Sequence, residues 1–192
     1  MRHGDAGHRR AGFGTAPTGF VTLAALVSLV SLPVAAGAQA AAAAAACEAP
    51  ADGIRIIGAV EQPVTLTRTD MLAMDPVTVE VTGHDGAVHS YRGPTLRAVL
   101  DRAGVPGGAD LEGHLDGFVV VEARDGYRVT FALAELDGGY WDRLPILALR
   151  RDGRSLADDE HAGPFQVIAP DTPKHGRWAR QVACLRVAYP DW

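Results

Sequence analysis

Four short apolar runs separated by turn signals, all between Gly117 and Val187, constrain this chain more than any other feature. They are FVVVEARDGYRVTFAL, ILALRRDGRSL, EHAGPFQVIAP and KHGRWARQVACLRV. Runs of this length, bounded by Asp-Gly and Pro/Gly clusters, are too short for helices and read as strands. Asp125-Gly126 turns FVVVEA back into a strand from Arg128 to Phe131, which predicts a hairpin. Upstream, VTVEV alternates, with Val77, Val79 and Val81 on one face, and an HDG turn leads to a partner strand VHSY. Ile54, Ile56 and Ile57, Val60 and the PVTLT segment add one or two further β segments.

Helices are few and short. The clearest is predicted from Pro94 or Thr95 to Ala103, because Leu96, Val99, Leu100 and Ala103 fall at i, i+3, i+4 and i+7 and Gly104 supplies a stop. A second, through Asp70, Met71 and Leu72, can be capped by Thr67 or Thr69, with Pro76 beyond it. VPGGADLEGHLDG reads as a connection, and AELDGGYWDRL has room for one helical turn. The expectation is an α+β fold with mixed β-sheets.

The first 40 residues read as an export signal rather than as part of that fold. Arg2, Arg9 and Arg10 precede an apolar run from Phe20 to Ala38, closed by Ala38-Gln39-Ala40, so residues 1–40 are expected to be a signal peptide and the protein periplasmic or secreted. Arg9-Arg10 leaves the twin-arginine route open beside the general one. Residues 41–53 read as a flexible leader. Removing the three arginines and one aspartate of the signal leaves 15 Lys+Arg against 22 Asp+Glu, a net charge near −7. That balance argues against nucleic acid, or an anionic membrane after processing, as a partner. An even pair of cysteines in an exported protein predicts a Cys47–Cys184 disulfide, a lipid on Cys47 and a reactive Cys184 being the competing readings.

The order of the parts resembles the pterin-binding domain of the sulfite oxidase family. There a DGY-type hairpin is followed by an apolar strand, a dG-pL turn, a histidine-glycine-x-proline turn opening another strand, and a basic segment ending in a tryptophan-containing turn and a last strand. The resemblance spans roughly Val60 to Val187. It implies a sulfite oxidase-type molybdopterin-binding fold for residues 54–192, an oxidoreductase-like character and molybdopterin as cofactor. It also implies a cysteine thiolate on the molybdenum, within VTVEVTGHDGAVHSYRGPTL, where this chain has no cysteine. Catalytic residues therefore stay unassigned, metal ligands are expected to be none, and turnover of family substrates is not expected.

Five residues are the candidates for holding a cofactor or another anion. His161 lies in Glu160-His161-Ala162-Gly163-Pro164, a small-residue turn whose amides could approach an anion while the imidazole donates to it. Lys174, His175, Arg177 and Arg180 crowd one segment of an acidic chain, and arginine offers a planar fork to phosphate. By resemblance the first turn lies against the cofactor and the second segment holds its terminal phosphate, with Gln166 where the family usually has an arginine. Without the resemblance, His161 reads as a surface turn cap, and the basic segment is equally a solvated loop paired with surface Asp and Glu. His84, His89 and His114 have no third ligand at a metal-site spacing and read as exposed residues. Two functions remain open: a molybdopterin-dependent oxidoreductase-like domain, or a cofactor-free module that binds a small anionic ligand or a protein partner.

Overall fold

The computed structural model describes residues 47–191, and within them strands dominate, as the turn spacing predicts. The expected signal peptide, the alanine run up to Ala46 and Trp192 lie outside the described residues. A five-stranded sheet has the order β2-β1-β11-β5-β6, formed by β1 (Gly53–Gly58), β2 (Val64–Thr67), β5 (Phe118–Ala123), β6 (Arg128–Ala132) and β11 (Val182–Ala188). It is mixed, since β1 runs parallel to β11 while the other pairs are antiparallel. A second sheet orders β3 (Val77–Thr82), β4 (Val88–Gly93), β8 (Arg150–Arg151) and β9 (Arg154–Ser155), and a third pairs β7 (Ile146–Ala148) with β10 (Gln166–Ile168).

Alternation along the strands builds the core. Ile54 and Ile56, Val119 and Val121, Phe131, and Leu185 and Val187 are fully or almost fully buried at every second position. Each contributes roughly 1.5–3 kcal/mol by leaving water. Leu96, Val99 and Leu100 of the longer helix, α2 (Leu96–Asp101), join the same cluster. Thr95 caps α2 through its hydroxyl, which accepts from the Ala98 N–H. The helix ends earlier than its apolar spacing predicts, because Arg97 turns back to donate to the Val105 and Pro106 carbonyls, at 2.7 and 2.8 Å, and fixes the chain past Gly104. In the short helix α1 (Arg68–Leu72) the choice between Thr67 and Thr69 falls on Thr67, which forms a reciprocal capping box with Asp70.

Two segments depart from the sequence reading. VPGGADLEGHLDG contains a 3-10 helix, Gly108–His114, anchored where Asp137 accepts from the Gly108 N–H at 2.7 Å. The ILALR run is two strands in two sheets. Leu149 lies at the break, and its carbonyl accepts from Leu156 N–H and from the Arg68 guanidinium, which also reaches Pro164 O and Ser155 Oγ. A distant arginine therefore sets the change of sheet, with no local breaker in the run.

Cys47 and Cys184 form a disulfide across 137 positions, with Cα atoms 5.8 Å apart. Cys184 lies fully buried in the central strand β11. The residues after Cys47 form no helix or strand, yet the Arg124 guanidinium gathers the carbonyls of Ala49, Pro50, Ala51 and Gly53. The chain is thus pinned onto the sheet by one covalent bond and one arginine.

Candidate functional site

The β3–β4 hairpin, the β5–β6 turn, β10 and the segment before β11 converge on a cavity of about 290 Å³ lined by His84, Asp125, Tyr127, Gln166, His175, Trp178 and Arg180. Small-molecule sites usually begin near ~300 Å³, so the volume suits a small ligand or one end of a larger one. Each wall has a local cause. Asp125-Gly126 turns tightly, with Asp125 Oδ1 accepting from the Tyr127 N–H, and Tyr127 then reaches across to donate its hydroxyl to Gly176 O at 2.6 Å. That bond ties the hairpin to the 3-10 turn His175–Arg177. Trp178 is buried, donates Nε1–H to Ala169 O, and supports His175 by stacking at 3.9 Å between ring centroids. His84 meets His175 edge-on at 4.1 Å.

Polar groups at this cavity are largely uncommitted. Gln166 is only 3% exposed. Among the described residues its side-chain amide makes no hydrogen bond, and its polar atoms are open to the cavity rather than sealed in the core. Arg180 is exposed and lacks an ion pair among the described residues, and the imidazoles of His84 and His175 make ring contacts alone. One guanidinium, one amide and two imidazoles thus present donors to the same space. Asp125 is the one carboxylate in the lining.

Of the five residues predicted from sequence, His175 and Arg180 come together here and the other three do not. Arg177 is outside the cavity lining and engaged elsewhere. Its two terminal nitrogens donate to Glu135 Oε1 and Oε2 at 2.9 and 2.8 Å, one also reaches Thr130 O at 3.0 Å, and the guanidinium covers the Phe131 ring at 4.0 Å. Glu135 is held below the usual carboxylate range, first by the Arg177 hydrogen bond. Lys174 precedes the 3-10 turn, exposed and outside the cavity lining.

His161 lines a different depression, where Asp152, Asp158, Asp159 and Glu160 outnumber Arg151 and Arg154. The amides of its turn are already satisfied, since Asp159 Oδ1 accepts from both His161 N–H and Ala162 N–H at 2.9 Å. That carboxylate stays acidic through the same bonds, Ala162 foremost. Gly163 is small for packing reasons, because a Cβ there would run into the Leu156 carbonyl. The turn nevertheless borders the basic segment, with Gln181 N–H donating to Ala162 O at 3.1 Å.

From sequence, Tyr127 simply starts the return strand after the Asp125-Gly126 turn, and His84 reads as an exposed hairpin residue in the VTGH segment where the resemblance places the family's cysteine. His84 is exposed, but it also closes one side of the cavity. Its contact with His175 spans 91 positions and leaves no local signal. Among the described residues the one grouping of three metal-type ligands is Cys47, Glu122 and Cys184, and both sulfurs belong to the disulfide.

No protein-family model matches the sequence, and curated proteins give no match either. Among solved structures, the fold is similar to that of the sulfane dehydrogenase SoxCD from Paracoccus pantotrophus, with a TM-score of 0.57 and 19% identity. The similarity covers 73% of this chain and 39% of that one, so the chain spans well under half of its neighbour's length. At this identity the likeness is one of fold.

Proposed function

We propose that residues 54–192 form an exported domain of the sulfite oxidase-type molybdopterin-binding fold that works as a binding module for a small anionic ligand, such as an oxyanion or the phosphate end of a pterin. The observation that carries this reading is the Gln166 side-chain amide, which has no protein partner among the described residues and opens on the same cavity as Arg180, His84 and His175. An anion would satisfy the amide and pair with the guanidinium in one step. The Cys47–Cys184 disulfide is compatible with export, since such bonds persist in oxidising compartments.

The whole molybdenum cofactor fits these residues poorly. A metal of this class takes soft thiolate ligation. Both cysteines are consumed in the disulfide and the described residues contain no free one. Arg177, expected to pair with phosphate, is neutralised by Glu135. These two facts favour the cofactor-free module over the molybdopterin-dependent oxidoreductase, whose metal-bound chemistry has no protein thiolate to anchor it.

Calorimetric titration of the purified protein with inorganic phosphate and with a pterin phosphate, alongside metal analysis, tests the proposal. Saturable binding of either anion, lost in Arg180→Ala, supports it. Absence of binding to both refutes it. Stoichiometric molybdenum with turnover of sulfite would reinstate the oxidoreductase reading.

A further inference from the structure

The hairpin that carries His84 is fastened by a second histidine with two incompatible partners. His89 on β4 places Nδ1 2.7 Å from Asp152 Oδ2, in the turn between β8 and β9. Its Nε2 lies 2.9 Å from Asp85 Oδ2, in the β3–β4 turn, and also 2.6 Å from a terminal nitrogen of Arg151 on β8. Asp85 accepts only if Nε2 carries a proton. Arg151 has nothing but donors, so it bonds Nε2 only as a bare lone pair. Both cannot hold at once.

We propose that His89 is a proton-operated switch: protonated, its Nε2 holds Asp85 and fixes the β3–β4 turn so that His84 packs on His175; neutral, the same nitrogen accepts from Arg151 and lets the turn go.

The surroundings permit both states. Asp152 can accept from Nδ1–H in either one, and it is itself fixed by the Ser90 N–H on Oδ1 at 2.9 Å. Arg151 gains from the exchange, because its carboxylate contacts, to Asp85 and Asp152, are long at 3.7 Å and the bare Nε2 gives its terminal nitrogen a close acceptor. Once released, Asp85 keeps one hydrogen bond, from the Ala87 N–H at 3.1 Å, beside its long contact to Arg151. The next residue back is His84, with its 4.1 Å ring contact to His175 at the cavity. The groups facing His89 are Asp85 and Asp152 on the two turns, Arg151 on β8 and the Tyr91 ring at 6.4 Å on its own strand. The hydrogen bond to Asp85, then that to Asp152, raises the imidazole above its ordinary value, against burial and the Arg151 charge. A raised value means the clasp is complete below the ordinary imidazole pKa and is lost as pH rises through the higher folded value. The link to ligand binding rests on the anion-binding reading of the cavity; the switch itself does not.

Proton–nitrogen NMR of the ligand-free protein between pH 5 and 9 tests the switch. The Gly83, Asp85 and Gly86 amides are expected to titrate together with the His89 ring, at a midpoint above the ordinary imidazole value. Asp85→Asn is expected to lower the His89 midpoint, and Arg151→Met to raise it. Turn amides that stay flat through the His89 midpoint, or follow the His84 ring instead, would overturn the proposal, as would a midpoint that neither variant moves. Phosphate affinity at pH 5.5 and 8.5, compared between the native protein and Asp85→Asn, separates the two claims. A native protein that never binds phosphate removes the cavity reading while the amide titration still decides the switch. Binding that loses the same factor with pH in both proteins would disconnect the switch from the cavity.

Discussion

Arg177 and Glu135 face each other in a two-pronged ion pair, 2.9 and 2.8 Å, 42 positions apart. The pair joins the 3-10 turn before β11 to a second one, Leu133–Leu136, directly after β6, and it takes out of circulation the arginine most readily read as a phosphate ligand. Arg180, three residues on, keeps its charge for the cavity.

Arg177→Ala should therefore destabilise the domain by about 1–2 kcal/mol, the lower part of the range for losing a charged hydrogen bond, since Glu135 is part-buried and keeps the Ala132 N–H. Its phosphate affinity should stay within about twofold of the native value. Arg180→Ala should do the reverse, weakening phosphate about tenfold or more with little change in stability, since an anion loses a charged donor worth ~1.5 kcal/mol or more. Denaturant unfolding and calorimetry on the two variants check the pair of expectations.

Gln166→Met should separate binding from stability. The substitution removes an amide that has no partner, at nearly constant volume, so the fold should be unchanged or slightly more stable. Phosphate affinity should fall about fivefold, the equivalent of ~1 kcal/mol for one hydrogen bond. A variant that unfolds more easily yet binds normally would place the Gln166 amide in the scaffold.

Acid should loosen the domain through specific carboxylates. Glu135 is lowered first by the Arg177 hydrogen bond, and Asp137 first by the Gly108 N–H and then by that of Gly139. A lowered folded value means the contribution is complete above the ordinary carboxylate range and disappears as pH falls through the depressed values. Urea midpoints should drop between pH 5 and pH 3, and the drop should be smaller in Arg177→Ala, which has already lost one partner. An equal drop in both proteins would contradict the assignment.

Reduction should cost the domain much of its stability without abolishing the site. Closing a loop of 137 positions can contribute on the order of 4 to 5 kcal/mol in the chain-entropy model. The Arg124 clamp on residues 49–53 remains in the reduced protein, so the melting temperature should fall while phosphate still binds. Scanning calorimetry with and without a dithiol reductant measures the first, and titration under reductant the second.

What could be seen in the sequence was local. Asp125-Gly126 and the HDG turn marked both hairpins because the turn chemistry sits between the strands it joins. The helix starts were narrowed to Thr67 or Thr69 and to Pro94 or Thr95, with the caps falling on Thr67 and Thr95, and an even pair of cysteines in a chain read as exported implied their pairing. The misses were relationships between distant residues. Nothing in ILALR signals that Arg68 will split it at Leu149, and nothing near Arg177 identifies Glu135 as its partner. The cavity was half legible: His175 and Arg180 stood out by charge and the resemblance pointed to the Gln166 position, whereas His84 and Tyr127 reach it only through sheet register and long-range contacts.

A crystal structure of the protein soaked in tungstate, a tetrahedral oxyanion with strong anomalous scattering, tests the central claim most directly. One dominant anomalous peak is expected inside the cavity, within hydrogen-bonding distance of Arg180 and the Gln166 amide and bordered by His175. Strong peaks only beside Lys174 or His161, or an empty cavity at saturating tungstate, would contradict it.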